Sequence, residues 1–230
     1  MSNAPKKRRQ SGTRARVAQH EAHKVPRSTN IIAMAAVAAF LVIGLIVLAL
    51  VLFSGDDNHR PDGMAFNGTS LPTFTAGVDD PATGMKAPIF TTEYLDGEYA
   101  FIGGGGGPND TAKLVVFVAH WCRVCQAELP EVANWVADNE LPEGVEIVMV
   151  STFEDPDREN HPPSAWFEAQ EWQAPVALDS RDGEIAESFG MSGVPSWAVI
   201  TDLNFVLERG TSPLTPTELD RLIGLAAASR

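Results

Sequence analysis

Apolar and polar positions divide this chain into stretches of different period. Ile31 to Phe53 is a run of 23 uncharged residues dominated by Ala, Val, Leu and Ile. As a helix rising ~1.5 Å per residue it spans the ~30 Å hydrocarbon core of a bilayer. Residues 54–86 show no sustained period and are rich in Gly, Pro, Asp, Thr and Asn. That composition predicts a flexible tether whose last few residues pack on the domain beyond it. Periodicity resumes near Ala87. Ile89–Tyr94 predicts a strand, Leu95–Glu98 a turn and Tyr99–Ile102 its hairpin partner. Gly103 to Gly107, closed by Pro108, predicts a mobile surface loop; a phosphate cradle would need a following Lys-Ser/Thr and a βα context.

Lys113–Ala119 is a nearly continuous apolar run, as in a strand covered on both faces. Cys122–Asn139 predicts a helix with Leu129, Val132, Ala133 and Val136 on one stripe. Val145–Ser151 is a second buried strand, and Ser164–Trp172 a helix for which Pro162-Pro163 suits the start. Val176–Leu178 reads as a short strand and Gly183–Phe189 as a helical turn or two. Trp197–Thr201 and Phe205–Arg209 form a hairpin turning at Asp202-Leu203-Asn204. Thr215-Pro216-Thr217-Glu218 caps a last helix running to about Ala228. Trp166 and Trp172 fall at core positions. This order predicts an α/β fold, a mixed central sheet flanked by helices on both faces and preceded by one transmembrane helix.

Charge sharpens the division. The chain as a whole carries a formal −13, but residues 1–30 hold eight basic residues against Glu21 alone, a net of +7. Residues 31–53 hold no charge, and the remainder is at −20, with nine basic and 29 acidic residues. Lys and Arg are retained in the cytoplasm, so 1–30 is the cytoplasmic tail, 31–53 the anchor, 54–86 the tether and 87–230 an extracytoplasmic domain. A cleavable signal would have an apolar core of only about 7–15 residues and a small-x-small site, whereas Ser54-Gly55-Asp56-Asp57 follows Phe53. The expectation is an uncleaved, single-pass signal anchor in the cell membrane, touching lipid through residues 31–53. Lys6-Lys7-Arg8-Arg9 then serves as a topology determinant near anionic lipid. An acidic domain has no electrostatic reason to bind nucleic acid.

The candidate chemistry lies in the chain's two cysteines, which sit together in Trp121-Cys122-Arg123-Val124-Cys125 between an apolar strand and a helix. Residues i and i+3 of a helix are neighbours at a separation that an unstrained disulfide spans. Cys122, in the first turn, meets unpaired backbone N–H groups and the positive end of the helix dipole, both of which favour thiolate over thiol. It is the expected nucleophile. Cys125, one turn deeper, is placed to attack a mixed disulfide and release product. Half of a zinc site is the competing reading, but only His120 and His161 remain as nearby ligands.

These residues resemble the thioredoxin family. Trp121-Cys122-x-x-Cys125 follows an apolar strand, Pro130 stands where that family has its helix proline, and Gly193-Val194-Pro195 matches the loop whose proline is cis there. Ala87-Pro88-Ile89-Phe90, Asp96-Gly97 and Cys125-Gln126-Ala127-Glu128-Leu129-Pro130 are similar to a narrower group, the membrane-anchored TlpA/ResA-like thiol–disulfide oxidoreductases. The resemblance covers about residues 85–228. The sequence departs from thioredoxin in having Val116 where that family buries an aspartate, and Arg123-Val124 between the cysteines. The narrower group keeps a glutamate three past the second cysteine, which Glu128 matches; as a helical neighbour it is expected to receive the Cys125 proton.

The resemblance implies thiol–disulfide exchange with protein disulfides or dithiols, electrons from a membrane dithiol donor and no bound cofactor beyond the Cys122–Cys125 pair. It also places Trp121 as an apolar shield and contact surface. Pro195 would lie beside the sulfurs, leaving the Val194 backbone to pair with an extended substrate. The expected direction is reduction, in exported proteins including apocytochrome c. The rivals are a disulfide-forming oxidase of the same fold and a non-catalytic thioredoxin-like binding module, which would need neither thiol at this spacing. A peroxidase would carry Thr at the position of Ala119, and a copper-delivery protein would space its thiols one residue wider.

Overall fold

A computed structural model describes residues 28–53, 61, 63–103 and 111–229 of the chain. It divides into two units, residues 1–55 and 56–230. In the first, the backbone of α1 (Ser28–Phe53) is a helix of 26 residues. Its side chains are described at 34–46, where every one is exposed, Met34 and Phe40 by 72% and 78%. Among the described residues no helix is long and apolar enough to cross a membrane. The basic tail expected over 1–30 and the glycine loop expected over 103–107 lie almost wholly outside the described residues.

The second unit contains a three-stranded antiparallel sheet of β1 (Ala65–Asn67), β2 (Ile89–Glu93) and β3 (Tyr99–Ile102), in that order. The central sheet is built around β4 (Ala112–Val118), whose seven residues are all buried. After β4 come α2 (Arg123–Asp138), β5 (Val145–Ser151), α3 (Pro163–Ala169), β6 (Val176–Leu178), α4 (Glu184–Ser188), β7 (Ser196–Ile200), β8 (Val206–Thr211) and α5 (Pro216–Ala227). The strand order is β6-β5-β4-β7-β8, with β4, β5 and β6 parallel and β7 and β8 antiparallel to their neighbours. It is the mixed sheet that the alternation of strands and helices predicts.

The period-2 alternation of β4 explains why the sheet is covered twice. Leu114, Val116 and Val118 pack into a core shared with α2, α3 and α5, whereas Val115 and Phe117 pack with α4, Phe189 and the β2–β3 hairpin. Full burial of a side chain such as Phe117 is worth about 1.5–3 kcal/mol before packing is counted. Two helices begin at side-chain caps, the one at Thr215 where the sequence places it and the one at Cys122 a residue ahead of the helix expected to start there. Cys122 is the N-cap of α2, and Thr215 caps α5 by accepting the Glu218 N–H at 3.2 Å.

The structure corrects four expectations. The segment read as a tether is part of the domain from Met64 onward. β1 pairs with β2, Leu71 and Ala82 are buried, and Asp80 is ion-paired to Arg209. On α2 the expected Leu129, Val132 and Ala133 are buried, and Trp135 joins them, its Nε1–H donating to Asp220 at 3.0 Å, while Val136 is only half-buried against the same core. α3 stops at Ala169, since Glu171 takes a φ of 52° and the chain leaves the helix before Trp172. The second hairpin strand runs from Val206 to Thr211, one to two residues later than the pattern suggests.

Candidate active site

The site forms where β4 ends and α2 begins. Cys122 has extended backbone angles, φ −77° and ψ 113°, and its Sγ accepts the backbone N–H of Cys125 at 3.2 Å. The Cys122 thiol also approaches the Val194 carbonyl, 3.5 Å away. That contact sets the loop expected beside the sulfurs against Cys122, and its Val194-Pro195 peptide is cis. Both cysteines are free thiols, Cys122 6% exposed and Cys125 1%. Position in the first helical turn suggests a solvent-accessible Cys122 with Cys125 shielded behind it; instead both are buried, and the Val194 carbonyl lies against the Cys122 sulfur.

Burial, reinforced by the hydrogen bond to Cys122, pushes the Cys125 thiol far above its ordinary 9.0. Raising a thiol's pKa extends the range in which it stays protonated and poorly nucleophilic, so Cys125 is quiet at neutral and mildly alkaline pH. Limiting iodoacetamide at pH 8 on the reduced chain should therefore modify Cys122 and leave Cys125 intact in the peptide map. Labelling that begins at Cys125 would reverse the two roles.

His120 and Trp121, just before the cysteine, are fastened to the loop after β5. The His120 Nδ1–H donates to Glu159 O at 2.7 Å, and Nε2 accepts the Asp155 N–H at 3.3 Å, so both ring nitrogens are engaged by backbone. Asn160 and Gln126 donate to the His120 carbonyl. Trp121 donates its Nε1–H to Phe153 O at 2.7 Å, with the Arg158 guanidinium 4.5 Å from its ring centre. His120 is thus a bracket, and Trp121 packs against the core that holds both cysteines.

Glu128, half-buried one turn past Cys125, accepts the Ser212 hydroxyl on Oε1 and the Leu214 N–H on Oε2 at 3.4 Å. Ser212 in turn donates its N–H to the carbonyl of Pro195, 3.4 Å away. Sequence reasoning missed Ser212, and its only local signal was the neighbouring Pro213. It ties the active-site helix to the proline loop across 84 residues of chain. Among the described residues no group of three or more His, Cys, Asp or Glu is arranged to hold a metal.

A dithiol at the start of the helix after the central strand, faced by a cis-proline loop on a mixed five-stranded sheet, defines a thioredoxin-like protein. A family model described as AhpC/TSA matches residues 84–210, more than half of the chain. The chain belongs to the AhpC/TSA family. It is 27% identical over 160 residues to the thiol:disulfide interchange protein HelX of Rhodobacter capsulatus, covering 67% of this chain and 78% of that one. Among solved structures, StoA of Bacillus subtilis has the same fold at a TM-score of 0.50 and 20% identity, over 62% of this chain and 98% of its own. A thioredoxin-family thiol:disulfide interchange protein of Chlorobium tepidum matches at a TM-score of 0.50 and 21% identity, over 65% of this chain and 99% of its own.

Proposed function

We propose that this chain is a membrane-anchored thiol–disulfide oxidoreductase that reduces disulfides in exported proteins, apocytochromes c among them. The observation that carries the reading is the stacked pair of free thiols, one at the helix cap and the other shielded behind it, with a cis-proline loop alongside. The name of the HelX relative supports exchange as the chemistry.

The Cys122 thiolate attacks a substrate sulfur, forming a mixed disulfide and releasing the first substrate thiolate. Cys125 then attacks Cys122, releasing the second thiolate and leaving the Cys122–Cys125 disulfide, so two electrons pass to the substrate. Because burial keeps Cys125 protonated, that second step needs a base, and Glu128 receives the proton. The Glu128 carboxylate accepts from the Ser212 hydroxyl and the Leu214 N–H one turn past Cys125. Trp121 supplies the apolar rim, and the Val194 backbone pairs with the incoming chain. No cofactor is required, and a membrane dithiol donor restores the thiols. Ala119, buried where a peroxidase would place a threonine, brings no hydroxyl to the sulfur.

The acidic domain and Glu128 disfavour the strongly stabilised thiolate on which a powerful oxidant depends. The expected potential is near the ~−270 mV of thioredoxin and far from the ~−120 mV of a strong periplasmic oxidant. Equilibrating the chain against glutathione buffers measures it; a value above roughly −180 mV makes the oxidase reading correct.

The uncharged run 31–53 supports the anchor, with the basic tail inside. Protease added to spheroplasts should remove the domain and leave a small membrane-bound fragment. A shortened soluble product starting after Phe53 would show a removable signal.

A further inference from the structure

A cavity of about 390 Å³ opens at the β6 edge of the central sheet, and none of the residues around the cysteines lines it. One wall is the β2–β3 turn, with Tyr94 and Asp96. The other is the end of α3 and the chain after it, with Phe167, Glu168 and Trp172. Backbone fixes both walls. Tyr94 bridges Ala177 as an antiparallel pair, and Leu95 donates its N–H to Val176 O at 2.9 Å. On the far side Trp172 donates its N–H to Phe167 O at 3.2 Å, and the two ring centroids lie 6.4 Å apart. The space is therefore formed in advance, and filling it needs little further ordering.

Its chemistry is one-sided. Three aromatic side chains and two carboxylates, Asp96 and Glu168, line it, whereas no Lys, Arg or His does. Both carboxylates are exposed, and among the described residues neither is in an ion pair. Asp96 accepts the Glu98 N–H at 3.0 Å on one oxygen. Tyr94 registers the resulting field: burial raises its phenol above the ordinary 10.0, and the charges of Glu146 and Asp96 raise it further. Glu146 has a counter-ion in Lys113, 3.2 Å away, which leaves Asp96 and Glu168 as the uncompensated pair. Aromatic faces attract a cation through the ring quadrupole, Trp most strongly, and carboxylates beside them add to the attraction. A neutral guest would leave both acids unanswered, and an anion would be repelled.

We propose that this cavity receives a lysine or arginine side chain of a partner polypeptide, as a docking point apart from the dithiol. That the partner is a polypeptide rests on the exchange reading above, whereas the cation rests on the cavity itself. The charged head lies over the rings within reach of Asp96 and Glu168, and the methylene stem fills the remaining space. Ser164 and Gln173, exposed in the same lining, offer a hydroxyl and an amide to the partner's backbone, which a free amine lacks.

Fluorine NMR of the full chain in detergent micelles, with 5-fluorotryptophan at its five tryptophans, reads the site directly. Trp172→Phe assigns the Trp172 resonance by its loss. The probes are capped Gly-X-Gly peptides, with lysine, arginine, norleucine or glutamate as X, and butylamine as a free amine. The lysine and arginine peptides should move the Trp172 resonance saturably and leave that of Trp121, beside Cys122, in place. The norleucine and glutamate peptides should not move it, and butylamine should need at least about a fivefold higher concentration. Asp96→Asn combined with Glu168→Gln, both at exposed positions, should raise the midpoint of the lysine titration by about fivefold. A norleucine shift equal to that of lysine, a lysine midpoint unmoved by the double variant, or no shift up to tens of millimolar overturns the cation site. Butylamine binding as tightly as the lysine peptide overturns its assignment to a polypeptide. No thiol reacts in these titrations, so all of these results leave exchange in place. Failure of the same preparation to reduce insulin while the lysine shift persists overturns the exchange reading and leaves the cation site standing.

Discussion

Replacing Cys125 with serine should turn the chain into a trap for its substrates. Cys122 is still the N-cap and still accepts the backbone N–H of residue 125, so the first attack proceeds. The buried thiol that would resolve the mixed disulfide is gone, and a serine hydroxyl cannot replace it. Covalent adducts to partner proteins should accumulate on non-reducing gels and disappear with dithiothreitol. Cys122→Ser removes the nucleophile and should give no adducts and no turnover. The buried Cys125 is no substitute, since its thiol stays protonated across the neutral range. Adducts formed by Cys122→Ser and absent from Cys125→Ser would assign the roles the other way round.

The second large effect concerns stability. Arg209, its side chain wholly buried, grips the Asp80 carboxylate with two nitrogens and the carbonyls of Pro72 and Phe189 with a third. Arg209→Ala would strand a carboxylate that is only 11% exposed, together with two carbonyls, at a cost of about 3–5 kcal/mol. Urea unfolding of the full chain, followed by the fluorescence of its five tryptophans, measures the loss. A change below about 1 kcal/mol would mean that the segment around Asp80 is held by its apolar residues alone.

The pH dependence has a definite sign. The Arg209 hydrogen bond, acting against desolvation, holds the Asp80 carboxyl below its ordinary 3.8. A folded value below the unfolded one gives stability that is fully present above about pH 3.8 and is lost as pH falls through the folded value. Arg209→Ala should lack this part of the acid loss.

What could be read in advance had local causes. β4 is apolar throughout because both its faces are covered, and Thr215-Pro216-Thr217-Glu218 carries its own cap; such signals survive without tertiary knowledge. The cysteine pair, Pro130 and Pro195 were legible as types at fixed spacings, and the structure brings the cysteines and Pro195 together. The segment before β2 was not legible. Leu71 and Ala82 are isolated among polar residues, and what buries them is a sheet and an arginine far along the chain, 129 residues away in the case of Asp80. Ser212 escaped for the same reason, since nothing near it in sequence announces Glu128. Trp135 escaped too, because nothing in the apolar stripe shows that Asp220 waits for the indole N–H.

The hooks that His120 and Trp121 place in the loop from Phe153 to Asn160 bear on engineering. Four hydrogen bonds and a stacked guanidinium join those two residues to that loop. A graft of the cysteine motif into a foreign scaffold would arrive with its imidazole and indole nitrogens unpartnered and its tryptophan free to swing. The transplantable module is a discontinuous pair of segments, 119–128 and 153–160, and a chimera has to carry both.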